Sequence, residues 1–282
     1  MYKLQENLTR EWMESAAEKT GYPLLQIEFL AHMMYAAWVL RTEDLILKGG
    51  TAVQQHVKEP YRRISVDLDY DLGKLMQLET VKSLMNKPHY KGGEYNKFTG
   101  TLTYQRPAPT LYKSEKRLDG VKINAHIIKI QINTRTVSKE YEEVSFNILP
   151  GLLDEYAFKQ KTLTAERLLA NKIVVSARSE TVKVGRARYK DLYDVTALIN
   201  YPRKKINYEK VAEEIGIDLR RRGSNLSPEQ VVNSCASNIS ALEEENAKGF
   251  YSSYKVPGEI SEDIRNLAKR TIKALKNIEI LH

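Results

Sequence analysis

The chain has 282 residues, of which 42% are hydrophobic and 28% charged. That length gives one large domain or two modest ones a full core, and that mixture excludes a disordered chain and a membrane channel. Forty-four basic residues against 36 acidic ones leave a formal charge of +8, which suits a polyanionic partner without requiring one.

Helical spacing runs through residues 5–19 and 24–40, with Gly21-Tyr22-Pro23 as the stop between them, because Gly suits a helix end and Pro cannot continue one. The stretch 24–40 is the most apolar of the chain, yet Gln26, Glu28 and His32 interrupt it and it is too short to span a bilayer, so it reads as a buried helix. Leu45-Ile46-Leu47 is a short strand that ends in Gly49-Gly50, after which residues 51–57 resume a helical pattern. Over 64–72 the residues alternate, with Ile64, Val66, Leu68, Tyr70 and Leu72 on one face and Ser65, Asp67, Asp69 and Asp71 on the other. A half-buried strand thereby presents three carboxylates together, Asp71 at its wet end. Residues 77–86 read as a helix, 86–100 as a loop, and 101–106, 121–134 and 144–148 as further strands.

Pro150-Gly151 marks the expected boundary, which makes 1–150 an α+β domain with a mixed sheet and 151–282 an all-helical one. Helices are expected over 164–178, 188–199, 208–220, 228–246 and 262–278. Ser227-Pro228-Glu229-Gln230 offers an N-cap, a Pro at the first helical position and a Gln able to close a capping box. In the last helix Ile264, Leu267, Ala268, Thr271, Leu275 and Ile278 form one stripe, and Arg265, Lys269, Lys273 and Lys276 a solvated one.

Cys235 is the single cysteine, which excludes an intramolecular disulfide and an all-cysteine metal site and fits a reducing cytosol. No secretory signal is visible in the opening residues, and the expected location is cytoplasmic. The histidines at 32, 56, 89, 126 and 282 lack ligand-like spacing, which argues against zinc. Charge is uneven: residues 159–205 hold twelve Lys/Arg against four acids, a surplus equal to that of the whole chain. Either a solvated helical face or an anion-binding cleft accounts for it. The segment 90–112 interleaves Tyr90, Tyr95, Phe98, Tyr104 and Tyr112 with lysines and Arg106, a pattern of loop aromatics covering the core or of a surface on which bases stack.

The most specific local signal is Gly49-Gly50-Thr51, a short helix, then Asp67-Leu68-Asp69, with fifteen residues between Thr51 and Asp67. Side chains at i and i+2 of a strand point the same way, so Asp67 and Asp69 can share a hard cation, and Mg²⁺ compensates the repulsion between them. A glycine turn at a helix start offers N–H groups and a favourable dipole to a phosphate, and Thr51 can add a hydroxyl. This order resembles the DNA polymerase β-like nucleotidyltransferase superfamily. Downstream, Glu166-Arg167-Leu168-Leu169-Ala170-Asn171-Lys172 with Arg178, and Arg188-Tyr189-Lys190-Asp191-Leu192-Tyr193-Asp194, narrow the match. Together with Lys48-Gly49-Gly50-Thr51 and Arg63-x-Ser65-x-Asp67-x-Asp69, they resemble the AbiEii/AbiGii toxin family, which includes the MenT toxins, over about residues 45–200.

The resemblance implies a Mg²⁺-dependent transferase that moves a nucleoside monophosphate from an NTP to an RNA acceptor, the tRNA 3′ end in studied members, and releases pyrophosphate. It also implies an antitoxin encoded alongside and a role in abortive phage infection or growth arrest; no membrane partner is expected, because no stretch reads as able to span a bilayer. Asp67 and Asp69 would hold metal, and Gly49, Gly50, Thr51 and Ser65 would line the nucleotide phosphates. Lys172 would neutralise the triphosphate with help from Arg178. Asp191 would act as a base for the acceptor hydroxyl or as an orienter of Lys172, and Asp194 would be structural. The helical half would complete the active-site cleft. Many superfamily members carry a third carboxylate on a later strand, where Ile128-Lys129-Ile130-Gln131-Ile132-Asn133 here holds amides. Either Asp191 supplies the missing charge or the protein is a weaker catalyst than its motifs imply. Two other readings stay open: transfer to a protein or small molecule, and a non-catalytic module that binds NTP or RNA.

Overall fold

The computed structural model of the chain describes residues 9–59, 61–86, 91–107, 127–148, 154–177, 186–241 and 264–279. The chain divides into two compact units, Met1–Thr51 with Ser65–Leu163, and Ala52–Ile64 with Thr164–His282.

The first unit opens with helices α1 (Arg10–Thr20) and α2 (Leu24–Leu40). Thr9 caps α1 by accepting from Trp12 N at 3.2 Å, and Gly21 ends it at φ +69° while its N–H donates to Ala17 O. Helix α2 is buried along most of its length, as its composition predicts, with Ile27, Leu30, Met33, Met34, Ala37 and Leu40 wholly enclosed. It packs on the sheet at strand β5.

The sheet has seven strands among the described residues: β1 (Leu45–Lys48), β2 (Asp67–Leu72), β3 (Lys91–Asn96), β4 (Thr101–Pro107), β5 (Ile127–Val137), β6 (Tyr141–Phe146) and β7 (Phe158–Leu163), in the order β3-β4-β5-β2-β1-β7-β6. Helix α3 (Gly49–His56) follows β1, and α4 (Leu78–Leu84) follows β2. The centre is mixed: β2 runs antiparallel to β1 and parallel to β5. Leu68, Tyr70 and Leu72 are buried, as are Ile128, Ile130 and Ile132 on the neighbouring strand.

Three expectations need correction. Strand β2 starts at Asp67 and not at residue 64, and Val66 is 54% exposed because it precedes any strand partner. Residues 91–96, expected in a loop, form β3; their Lys, Gly and Asn content suits an edge strand with only β4 to pair with. Residues 158–163, expected to lie beyond the boundary, pair with β6 and β1 as β7, so the first unit extends to Leu163 and past Pro150-Gly151, which lies outside the described residues.

The second unit contains α5 (Ala165–Ser176), α6 (Arg186–Asn200), α7 (Tyr208–Arg221), α8 (Pro228–Ala241) and α9 (Ile264–Glu279). It takes in residues 52–64 as well, which include most of α3. Residues 5–8, 121–126, 242–246 and 262–263 of the expected elements lie outside the described residues. Helix α5 packs on α6, α7 and α8, and α9 on α6, α7 and α8. The capping box at Ser227 is present: Ser227 N donates to Gln230 Oε1 at 2.8 Å, and Gln230 N to Ser227 Oγ at 3.2 Å. On α9 Leu267, Ala268, Thr271, Leu275 and Ile278 are buried while Lys269, Lys273 and Lys276 are exposed.

Candidate active site

The first unit brings the motif residues together at the β1–α3 turn and on β2. Gly49 has φ +71°, a left-handed conformation that opens the helix directly behind the strand. Its lack of a side chain is also needed for space: a Cβ there would collide with Asp69 Oδ2 and lie 3.2 Å from Asp69 Cβ and Cγ. Gly50 and Thr51 stand in the first turn, where backbone N–H groups have no intrahelical acceptor. Thr51 is buried and its hydroxyl donates to Asp67 O at 2.6 Å, so this hydroxyl, expected to meet a phosphate, ties the helix start to β2. Ser65 is half-buried in the segment just before β2.

Asp67 and Asp69 are half-buried on one face of β2, two residues apart, with Leu68 between them turned into the core. Register aligns Asp69 with Lys48 on one side and Gln131 on the other, and Asp67 with Lys129. The amide of Gln131 therefore sits where a third carboxylate would neighbour Asp69. Its Nε2 donates to Thr103 Oγ1 at 3.4 Å.

Asp71 departs from its expected place at a wet strand end. It is 4% exposed, ion-paired with Lys48 and accepts from Ser138 Oγ at 2.8 Å. Lys48 reaches it diagonally from β1, so Asp71 is neutralised internally and the solvent-facing acids of β2 reduce to Asp67 and Asp69. The donor set fits a divalent ion: two carboxylates on one strand face, Asp69 seated in the room that Gly49 leaves, with further coordination left to phosphate oxygens and water. Among the described residues no group of three or more His, Cys, Asp or Glu assembles into a metal site.

The second unit holds a buried charge network around Asp194, which has no exposed surface. Arg63 donates to it through Nε at 2.8 Å and Nη2 at 2.7 Å, Gln54 Nε2 donates at 3.2 Å, and Lys172 Nζ lies 2.9 Å away. Gln54 also accepts from the backbone N of Arg63 at 2.7 Å, which locks the segment that carries the arginine. Lys172 Nζ lies 2.5 Å from Asp191 Oδ1 as well. Burial would raise the pKa of Asp194, but Arg63 and then Lys172 hold it below the usual carboxylate range. For Lys172 burial acts against the charge; Asp194 and Asp191 overcome it, against an opposing push from Arg63, and its pKa is raised. Lys172 is thus buried and not a surface residue, while Asp191 contacts it as an orienting carboxylate would.

A second cluster fastens α5 to α7. Arg167 is buried and donates to Glu214 Oε2 at 2.8 Å and to Asp218 Oδ1 at 3.0 Å, and Arg222 Nε donates to Asp218 Oδ2 at 2.9 Å. Helix α5 therefore spends two of its cationic side chains internally, which removes them from the surface surplus expected over 159–205.

The structure brings Gly49, Gly50, Thr51, Asp67 and Asp69 together in the first unit, and Lys172, Asp191 and Asp194 in the second. Arg178 lies outside the described residues. Sequence reasoning gave Arg63 only as part of a motif and passed over Gln54. No local signal pointed from Arg63 to its partner, because it follows another arginine, Arg62, and Asp194 is far along the chain.

One solved structure gives the fold class first. MenT4, a nucleotidyltransferase toxin of Mycobacterium tuberculosis H37Rv, is similar at a TM-score of 0.56 and 14% identity, covering 98% of this chain and 99% of that one. JHP933 from Helicobacter pylori is similar at a TM-score of 0.42 and 18% identity, over 97% of this chain and 94% of that one. No curated protein matches the chain by sequence. The profile of the AbiEii nucleotidyl transferase toxins of type IV toxin–antitoxin systems matches residues 32–253, and the chain belongs to that family. It is a nucleotidyltransferase with an NTP substrate and a cognate antitoxin. Among the described residues no helix is long and apolar enough to cross a membrane.

Proposed function

We propose that this toxin transfers a nucleoside monophosphate from an NTP to an RNA acceptor, the tRNA 3′ end above all, in a Mg²⁺-dependent reaction that arrests growth or aborts phage infection from the cytoplasm. The observation that carries the reading is the placement of Asp67 and Asp69 on one strand face against Gly49, at the start of helix α3. In the reaction an acceptor hydroxyl oxygen bonds to the α-phosphorus, the α–β anhydride bond breaks, pyrophosphate leaves and the hydroxyl proton passes to a base or solvent.

Asp67 and Asp69 would hold the cation, which when bound supplies charge stabilisation to the attacking and leaving oxygens. The N–H groups of Gly50 and Thr51, at the positive end of α3, bind the β- and γ-phosphates. The carbonyl of Asp67, tied to Thr51, keeps that helix start in line with the carboxylates. The contact of Lys172 with Asp191 supports orientation as the role of that carboxylate. The amide of Gln131 lowers the negative charge that Asp69 must share its strand neighbourhood with. The net positive charge of the chain favours RNA as the acceptor.

The test is incubation of the purified protein with Mg²⁺, total tRNA and each α-labelled NTP in turn, beside the double variant Asp67→Asn/Asp69→Asn. Label on tRNA from the parent and none from the variant is expected. Equal labelling by both would overturn the site, and pyrophosphate release without labelled RNA would move the acceptor to a protein or small molecule.

A further inference from the structure

The aromatic and basic segment singled out in the sequence divides sharply in the structure. Tyr104 and Arg106 are buried, with the Arg106 guanidinium 4.1 Å from the centre of the Tyr35 ring, so these two serve the core. Phe98 does the reverse: it is 95% exposed at the tip of the β3–β4 hairpin. Leaving a Phe in water forgoes the stabilisation that burial of its ring would bring.

The tip that presents it is extensively braced. Asn96 Oδ1 accepts from Phe98 N at 2.9 Å and from Thr99 N at 3.2 Å. Gly100, at φ +67°, turns the chain, and its carbonyl accepts from Thr134 N at 2.9 Å and Thr134 Oγ1 at 2.8 Å. Arg135 crosses the tip, donating to Lys97 O and, at 3.0 Å, to Phe98 O; its side-chain stem occupies the space that a Cβ on Gly100 would need. The result is one aromatic ring held outward between two exposed cations, Lys97 and Arg135, with no acid in the turn from Asn96 to Gly100.

This combination matches what single-stranded nucleic acid needs: a π-face on which a base stacks and positive charge beside it for the phosphate. Position agrees. Asp69 aligns with Gln131, and Gln131 with Thr103, so the tip lies two strand spacings across and a few residues along the same sheet from the carboxylates. At ordinary sheet spacings that is about 15 Å, or about four stacked nucleotides.

We infer that the Asn96–Gly100 tip is an acceptor-strand docking point, where Phe98 stacks on an unpaired base about four nucleotides from the reacting end and Lys97 and Arg135 face its phosphates. The inference rests on the RNA reading given above. The test compares the parent protein with Phe98→Ala, Phe98→Trp and Lys97→Ala, measuring total-tRNA binding by fluorescence anisotropy and, with the preferred α-labelled NTP, KM for tRNA and for the nucleotide. Phe98→Ala is expected to weaken tRNA binding and raise KM for tRNA about tenfold while KM for the NTP stays in place, with Phe98→Trp restoring both. Lys97→Ala should flatten the salt dependence of tRNA binding. Unchanged tRNA affinity and KM in Phe98→Ala, with the parent active on tRNA, would overturn the docking point and leave the RNA reading standing. Unchanged tRNA values with weakened capture of the purified antitoxin would assign the tip to a protein partner instead. A parent protein that neither binds nor labels tRNA would sink both.

Discussion

Asp194 has no contact with solvent and yet is kept ionised, because Arg63 grips it with two nitrogens and Lys172 stands 2.9 Å away. Replacing it with Asn leaves two buried cations with Asp191 as the remaining acid of the network, and removing one member of such a set costs about 3–5 kcal/mol. Asp194→Asn is therefore expected to lower the thermal midpoint strongly. The pH dependence follows from the directions of the shifts. The folded pKa of Asp194 is depressed, so its contribution is present above the unfolded value of about 3.9 and is lost as pH falls through the lower folded one. Lys172 has a raised folded pKa, so its contribution is complete below the unfolded value of about 10.4 and is lost as pH rises through the higher folded one. Thermal melts of parent and variant should differ by a constant amount between about pH 5 and 9 and converge on the acid side below about pH 4. A difference that persisted undiminished at pH 2 would show that charge is not what Asp194 contributes. Sequence reading assigned Asp194 a structural role but gave it no distant partner; Arg63 is 131 residues away, beyond any local pattern.

At the scale of elements, β1, the Gly49 turn, α3 and β2 were all legible, because each announces itself locally: a short apolar run, a glycine pair, and an alternation that places Asp67 and Asp69 on one face. The turn makes a sharp prediction. Gly49→Ala must adopt a left-handed backbone at about 1–2 kcal/mol and also push Asp69 aside, since its methyl would collide with that carboxylate. A displacement of even an ångström at a reacting centre costs about a hundredfold in rate. Turnover should therefore fall by that order while the melting temperature falls by only a few degrees; a loss of stability with activity intact would separate Gly49 from the site. The elements that escaped sequence reading are edge or near-edge strands. The six residues of β7 alternate weakly and include two lysines, and β3 holds two glycines, so their strand character comes from neighbours in the sheet and not from their own side chains. The wet end expected for Asp71 failed for the same reason: Lys48 and Ser138, which enclose it, arrive from other strands and loops.

For the molecule as a whole, a charge of +8 predicts that binding of total tRNA falls steeply as salt rises, with a slope that counts the phosphates neutralised. Anisotropy titrations between 50 and 200 mM salt check it, on the order of a tenfold loss for only a few phosphate contacts. A flat response would remove the main physical support for a nucleic acid partner. The helices of the second unit were read correctly in number and order where they are described, since amphipathic periodicity is a property of each helix alone. What no periodicity conveyed is that residues 52–64 belong with them. This excursion bears on synthesis. Val57 bridges to Pro202, Lys58 N donates to Tyr201 O, and Arg63 waits for Asp194, so the segment made early has its partners made late. At about 5–20 residues per second a ribosome needs about 7 to 30 seconds to cover that gap. Through that interval the Lys172–Asp191–Asp194 network does not exist, and residues 52–64 await the helices against which they are held in the finished fold.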